Sequence, residues 1–245
     1  MRLQTSPAIL VLFLAAPGCN AVMSTVTAPA IRGSGIAKEE TRAVGPCDGI
    51  DVRSALSAVV TAGPAASVTV RGDDNLVPLV ETEVEGSTLY ARMRPNTGYT
   101  TKLPLELVVT LPRLVLARAD GASTIRATVV AGGDFTAVAA GASTLRLGGI
   151  DAAQADLTAR GASRIEASGK AGRAHLTAAE ASTIQAGALD AQAAEARLGG
   201  ASHGEVRASA SIRGAVAEAS SLRVLGHPAT SDVAISGASS VRHED

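Results

Sequence analysis

A serine that could serve as a nucleophile recurs through the second half of the chain, always in the third place of a Gly-Ala-Ser or Glu-Ala-Ser step. The serines are Ser123, Ser143, Ser163, Ser182, Ser202, Ser220 and Ser239. A hydroxyl attacks a substrate only where a base activates it, and the sequence places no base at a matching spacing. Because a hydroxyl both donates and accepts, we predict instead a structural ladder in which each serine satisfies the next.

The residues that most often ligate metals or transfer protons are dispersed. The histidines lie 28, 24 and 16 residues apart, with no cysteine or acidic residue at ligand spacing: His175, His203, His227 and His243. The aspartates that could line a polysaccharide-cleaving groove are also scattered: Asp120, Asp134, Asp151 and Asp156. The sequence therefore predicts no catalytic residue, no cofactor and no metal site.

Composition narrows the classes of partner. The chain has 22 Lys and Arg against 23 Asp and Glu, a formal net charge of −1, so no global field attracts nucleic acid. Aromatic residues make up 2% of the chain and glycines number 25. A core of such small side chains requires elements that approach each other closely. We expect no nucleic-acid partner and a narrow interior.

The first residues predict export. Arg2 precedes an apolar run over residues 8–16, which at about 1.5 Å per residue is too short to span a ~30 Å hydrocarbon core. The segment from Leu14 to Cys19 resembles a bacterial lipobox, which implies a signal peptide over residues 1–18 and a lipid anchor at Cys19. A plain cleaved signal is the alternative. Since Asn20 follows the cysteine where aspartate would signal inner-membrane retention, the resemblance implies an outer-membrane lipoprotein facing the periplasm or the cell surface.

The residues after the signal predict a tether. Residues 19–44 mix Ser, Thr, Ala, Gly and Pro without an apolar period, which is typical of a flexible leash with a reach of roughly 25–30 Å. The domain itself then covers residues 45–245. If Cys19 carries lipid, Cys47 has no disulfide partner, and it is either a buried small hydrophobic side chain or a free thiol.

The Gly-Ala-Ser steps belong to an internal repeat. Their first residues are 20, 20, 19, 20, 18 and 19 positions apart, which indicates one supersecondary unit stacked on itself. Each unit has two short alternating stretches and a glycine-bearing corner, which favours strands over the helix that Leu189–Leu198 would form by propensity alone. One polar position of each unit would form an outward column: Arg126, Arg146, Glu166, Gln185, Glu205, Arg223 and Arg242. We predict an all-β fold, a right-handed parallel β-solenoid of about seven coils of ~20 residues.

Residues 45–114 lack the repeat. They alternate as ordinary strands with one helical turn near residues 76–80, and we expect them to form an N-terminal β cap on the coils of residues 115–245. Glu81, Glu83 and Glu85 are expected on the solvated face of a strand, with a metal-binding carboxylate stripe as the alternative. The cell-adhesion tripeptide spelled by residues 71–73 is attributed to chance.

The order of these blocks resembles a known family. The blocks are Asp48–Val52, Val68–Leu76, Val84–Leu89 and Leu107–Pro112, followed by the repeats. Together, over about residues 44–243, they resemble the autotransporter adhesin, head GIN domain family of exported bacterial proteins. The family repeat is closer to Gly-Ser-Gly-Asp-Ile, and here Ala with Thr or Ser replaces Gly and Asp. The resemblance implies a β-solenoid with an adhesion or envelope role, and it assigns no catalytic residues.

Three functional hypotheses follow. The favoured one is a non-enzymatic cell-envelope lipoprotein, an adhesin or interaction scaffold, whose partners are the membrane through Cys19 and an envelope protein or glycan. A polysaccharide-processing β-helix enzyme is one alternative. The other is a self-assembling structural protein that forms homo-oligomers through its solenoid ends.

Overall fold

The computed structural model describes residues 30–128 and 133–244, and 65% of the chain is strand. The described residues contain one 3₁₀ turn at Val77–Leu79, as the sequence predicted, and no α-helix. In chain order the strands are β1 (Ile31–Arg32), β2 (Ala37–Arg42), β3 (Gly49–Val52), β4 (Ser57–Ala62), β5 (Ser67–Asp73), β6 (Val80–Glu85), β7 (Thr88–Met93), β8 (Tyr99–Thr100), β9 (Glu106–Leu111), β10 (Leu116–Ala119), β11 (Thr124–Thr128), β12 (Gly133–Ala139), β13 (Thr144–Ala159), β14 (Arg164–Ala178), β15 (Thr183–Leu198), β16 (His203–Val216), β17 (Ser221–Leu225), β18 (Thr230–Ile235) and β19 (Ser240–Glu244). The predicted signal peptide and the lipidation site Cys19 lie outside the described residues.

The chain winds into a β-solenoid of about six turns, which confirms the predicted fold with a coil count close to seven. Face A contains β3, β10, β12, the second halves of β13 to β16, and β18. Face B contains β4, β11, the first halves of β13 to β16, β17 and β19. Within each face the strands are parallel, so equivalent positions of successive coils form columns about 4.8 Å apart.

The two corners of each coil differ. The chain passes from face A to face B through the repeated step, where Gly121 and Ala122 both have left-handed backbones with φ of 65° and 67°. Glycine adopts this conformation without steric cost, which explains its recurrence there. The chain passes from face B back to face A through a bulge, since the register of β13 against β14 shifts between Leu147 and Ile150.

The interior is lined by small and branched aliphatic side chains, in line with the composition. On face B the inward column is Ile125, Leu145, Ile165 and Ile184. On face A an inward column is Ala119, Ala139, Ala159 and Ala178. All eight side chains are buried. In these two columns the alanines and the branched side chains together fill buried space without large rings.

The predicted outward column is confirmed on face B. Strand register places its members opposite one another from coil to coil: Arg126, Arg146, Glu166, Gln185, Glu205, Arg223 and Arg242.

The N-terminal part closes one end of the solenoid. β7 and β9 extend the parallel stack beyond β3 and β4, and β6, β5 and β2 then add in antiparallel orientation. The predicted boundary at residue 115 differs from the structure, because β3 and β4 are themselves a coil paired with β10 and β11. Their corner residues Ser54 and Ala55 have φ of 65° and 59°, like the later corners, but the buried Leu56 takes the place of the serine.

Residues 30–44 do not form the tether that the sequence predicted. β2 pairs along its whole length with β5, and β1 pairs with β8. The half-buried side chains of β2 are charged, with Glu40 3.3 Å from Lys38 and 3.1 Å from Arg42, so the strand has no apolar alternation to reveal it. The tether prediction is wrong for this segment, and residues 19–29 lie outside the described part.

Candidate binding cleft

A cleft of about 680 Å³ lies beside the corner of the first coil, between the loop that joins β7 to β9 and face B. The corner contributes Ser54, the strands contribute Ser57, Glu106 and Arg126, and the loop contributes residues 97–101. A cleft of this volume is large enough for a small organic ligand. No sequence pattern indicates the cleft, because its walls come from distant parts of the chain.

Arg126 is the cation of the cleft. It belongs to the outward column on face B, where the next member, Arg146, lies 3.1 Å from the carboxylate of Glu166. Among the described residues Arg126 has neither an ion pair nor a hydrogen bond to its side chain. Its exposed guanidinium therefore presents all its donors to whatever enters the cleft.

Glu106 is the anion of the cleft, and its charge is already compensated. Both Nε and Nη2 of Arg71, on the adjacent strand β5, donate to Oε2 of Glu106, with Nε at 3.0 Å. The Glu106 side chain is 14% exposed and Arg71 lies outside the lining. The uncompensated charge of the cleft is therefore positive.

Tyr99 anchors the loop to the corner. Its hydroxyl donates to the backbone carbonyl of Ser54 at 2.7 Å. Burial raises the pKa of the Tyr99 hydroxyl, which keeps the proton on this donor. The ring is half-buried against the core, so the aromatic wall of the cleft is fixed in place.

The first described residues hold the loop from its outer side. The amide of Ile31 donates to the carbonyl of Gly98 at 2.8 Å, and the amide of Gly33 donates to the carbonyl of Thr100 at 2.7 Å. These bonds accompany the parallel pairing of β1 with β8. The segment that resembled a tether thus supports the wall of the cleft.

Asp73 joins the N-terminal segment to the end of the loop that forms the cleft wall. Its fully buried carboxylate accepts hydrogen bonds from the amides of Gly35 at 2.7 Å, Lys102 at 3.0 Å and Leu103 at 3.1 Å. Burial by itself raises the pKa of Asp73, but the backbone donors outweigh it and the net pKa is lowered. Because the Asp73 carboxylate is buried and bonded to backbone amides, the tripeptide at residues 71–73 presents no free aspartate to a receptor.

A family model described as "Putative auto-transporter adhesin, head GIN domain" matches residues 46–228. The chain belongs to this family. No curated protein matches the chain. The family resemblance drawn from the sequence blocks is confirmed.

Solved structures share the fold of this head GIN domain. A "putative adhesin" from Bacteroides fragilis NCTC 9343 is 20% identical, with a TM-score of 0.77 over 88% of this chain and 100% of that one. A "Putative lipid binding protein" from Parabacteroides distasonis ATCC 8503 is 17% identical, with a TM-score of 0.69 over 89% of this chain and 100% of that one. At these identities the similarity establishes the solenoid fold alone.

The corner serines of the head GIN domain are placed in one column, but they bond differently from the predicted ladder. The members from Ser123 to Ser220 are buried and Ser239, in the last coil, is half-buried. Ser182 donates to the carbonyl of Ala159 at 2.9 Å and accepts from the amide of Ala179 at 3.0 Å. In the described coils the column hydroxyls bond backbone groups rather than one another, some in their own corner and others in the neighbouring coil, so the serines join successive coils as well as closing corners.

One of the scattered histidines lies beside one of the scattered aspartates in the structure. His175 Nδ1 lies 3.0 Å from Asp156 Oδ1 on face A, while His203 Nδ1 lies 2.6 Å from Ser221 Oγ on face B. Neither pair lies in the cleft. Among the described residues no three His, Cys, Asp or Glu side chains are grouped so that they could hold a metal ion.

Face A carries an ion-pair network that sequence reasoning missed. Asp156, His175, Glu195 and Arg213 stand opposite one another on successive coils. Arg213 and Arg197 both contact the carboxylate of Glu195, and Arg213 Nη2 lies at 2.9 Å. The hydrogen bond from Arg213 is the main reason why the pKa of Glu195 is lowered. The coil period of the charged positions on face A is the sequence signal for this network.

Two further predictions can be placed. Glu81, Glu83 and Glu85 lie on β6, where Glu81 Oε2 accepts from Arg92 at 3.1 Å and the other two are exposed, as expected for a solvated strand face.

Cys47 is a buried free thiol. Burial, and after it the negative charge of Asp48, raises the pKa of the thiol. A protonated, buried thiol is unreactive. None of the described residues forms a helix that could span a membrane.

Proposed function

We propose that this head GIN domain is a non-enzymatic adhesin of the bacterial envelope. The observation that carries the proposal is the cleft with Arg126, which has no partner in the described part of the chain, on a rigid solenoid of a family described as adhesins. The solenoid supplies stiffness because every coil is bonded to its neighbours along both faces. A binding module needs such fixed donors and walls, and it needs no activated nucleophile.

The proposal includes attachment through lipid at Cys19, in the outer membrane. The resemblance of residues 14–19 to a lipobox supports this location, as does the family's description as autotransporter adhesins. An exported, surface-associated chain would present the cleft to ligands outside the cell.

Metabolic labelling with an alkyne fatty acid tests the anchor. Full-length protein expressed in a Gram-negative host is expected to take up label and to fractionate with the outer membrane. The variant Cys19→Ala should lose the label, while Cys47→Ala, which changes the buried thiol, should keep it. Wild-type protein that carries no label would contradict the anchor.

Adhesion is tested with beads coated with the purified full-length chain. Retention of the beads on cell or glycan surfaces, beyond that of beads coated with an unrelated protein, is the expected result. Equal retention of both kinds of bead would contradict the adhesin function.

The last described coil favours a second candidate, end-to-end self-association. Ile235 in β18 is 53% exposed, and Val233 and Val241 in the last coil are only half-buried. Unpaired edge strands with apolar inward positions can pair with another chain. Light scattering that shows a monomer at high concentration would remove this candidate.

A further inference from the structure

Within residues 30–128 and 133–244, the cleft holds one charge that no other side chain compensates. Glu106 is neutralised by Arg71, whereas Arg126 has no partner for its guanidinium among the described residues. The planar guanidinium fork matches the two oxygens of a carboxylate and binds them with two parallel hydrogen bonds. The cleft therefore selects a ligand with an anionic, planar group.

The rest of the lining is rich in hydroxyl groups. Within the described part of the chain, none of these side chains bonds another protein group: Ser54, Ser57, Thr97, Thr100 and Thr101. A hydroxyl is donor and acceptor at once, as are the hydroxyls of a sugar, so such a surface can pair with a polyol in several orientations. A simple carboxylic acid would leave these groups unused.

Tyr99 adds an aromatic wall to the same cleft. Its hydroxyl is committed to the Ser54 carbonyl, so the ring is held at a fixed place. An aromatic ring offers an apolar surface to the C–H groups of a sugar ring, next to polar groups that bond its hydroxyls. The three kinds of group occupy one cleft of about 680 Å³, which fits a ligand of one or two sugar residues.

We infer that this cleft binds an acidic sugar, a pyranose bearing a carboxylate, with Arg126 holding the carboxylate and the lining hydroxyls holding the ring. The inference rests on the proposed adhesin function and names the ligand class of that function. Two sources share this chemistry, a uronic acid polymer and a terminal sialic acid.

The site is organised before the ligand arrives. The loop wall is held by the amides of Ile31 and Gly33 from outside and by Asp73 at its far end. A wall that is already ordered saves the entropy that a flexible loop would lose on binding. Arg126 lies on a strand paired on both sides, with β4 and β13, so its backbone is equally fixed.

Isothermal titration of the full-length protein tests the inference. The acidic probes are a β-1,4-linked glucuronic acid trisaccharide and 3′-sialyllactose, and their neutral counterparts are cellotriose and lactose. At least one acidic probe is expected to bind about tenfold or more tightly than its neutral counterpart. The acidic probe that binds shows whether the natural ligand is a uronic acid polymer or a terminal sialic acid.

Variants assign the binding to the cleft. Arg126→Gln should lower the affinity for the acidic probe by at least about tenfold and leave the affinity for the neutral probe unchanged. Arg126→Lys, which keeps the charge but not the fork, should fall between Arg126→Gln and the wild type. Arg146→Gln is the matched control, since it removes the next arginine of the same column outside the cleft, and it should bind as the wild type does.

Two results would overturn the site. One is the absence of binding of either acid at millimolar concentration in low salt, and the other is an equal loss in the Arg126→Gln and Arg146→Gln variants. If the coated beads still adhere while neither acid binds, the acidic-sugar site fails and the adhesin function stands. If the beads do not adhere at all, the proposed function itself fails.

Discussion

The carboxylate of Glu218 accepts a hydrogen bond from the backbone amide of Gly200 in the preceding coil, at 3.0 Å. Glu218 occupies the first corner position in a left-handed conformation, with φ of 57°. Glu180 repeats the arrangement with Gly161 at 3.2 Å and φ of 59°. The bond to the neighbouring coil offsets a conformation that costs a non-glycine residue about 1–2 kcal/mol.

Substitutions at Glu218 should separate the stabilisation by the hydrogen bond from the cost of the left-handed backbone. Glu218→Ala keeps the left-handed strain and loses the hydrogen bond, so we expect a loss of about 1 kcal/mol and a Tm lower by roughly 2–4 °C. Glu218→Gly loses the bond but also relieves the strain, so its Tm should stay near that of the wild type. Thermal unfolding followed by circular dichroism measures both variants, and equal destabilisation by the two would contradict this account.

Asp73 should make stability depend on pH in the acid range. Its folded-state pKa is lowered below the usual 3.8, so its contribution is fully present above the unfolded-state pKa and is lost as pH falls through the folded value. Asp73→Asn should therefore destabilise the protein at pH 7, and its difference from the wild type should shrink at pH below about 3.8. Urea unfolding at both pH values measures the difference. A difference that is the same at neutral and acid pH would contradict the charge-based mechanism.

Ser182 should matter through the backbone groups that it bonds. Replacing it with alanine removes the side-chain hydrogen bonds to the amide of Ala179 and the carbonyl of Ala159, which still bond each other at 3.0 Å, so the cost should be about 1 kcal/mol. Denaturant unfolding measures the change. Ser240→Ala, an exposed serine in the last coil, should be neutral. An unchanged midpoint for Ser182→Ala would show that the corner does not need the hydroxyl.

The sequence predicts the coils better than the cleft, for a physical reason. Each coil packs against coils of the same kind, so equivalent positions carry similar residues at a constant spacing. The columns of Ser123 and Arg126 can therefore be predicted from that spacing alone. The coil with Leu56 has no repeat signal in the sequence because it carries the same corner geometry with a different residue type. The cleft depends on Tyr99 and Ile31, which lie far from Arg126 in the chain and share no pattern with it.

Gly33 should be sensitive to the smallest side chain, because of what it faces. A Cβ on Gly33 would lie 2.3 Å from Oδ2 of Asp73, the atom that accepts from the amides of Lys102 and Leu103. Gly33→Ala should therefore displace the carboxylate and loosen residues 97–103. Hydrogen exchange of the Lys102 and Leu103 amides is expected to accelerate, while the amides of the distant coils keep their protection.

Gly45 provides the matched control for Gly33. A Cβ on Gly45 meets nothing within 4 Å, so Gly45→Ala should leave exchange in the loop unchanged. The cost of Gly33→Ala is expected to be local, because the clash involves a carboxylate that joins two loops rather than the stacked strands. Unchanged exchange of the Lys102 and Leu103 amides in Gly33→Ala would show that the N-terminal segment does not support the cleft wall. Accelerated exchange would show that residues 30–35 are a structural part of the site, although their composition resembles that of a linker.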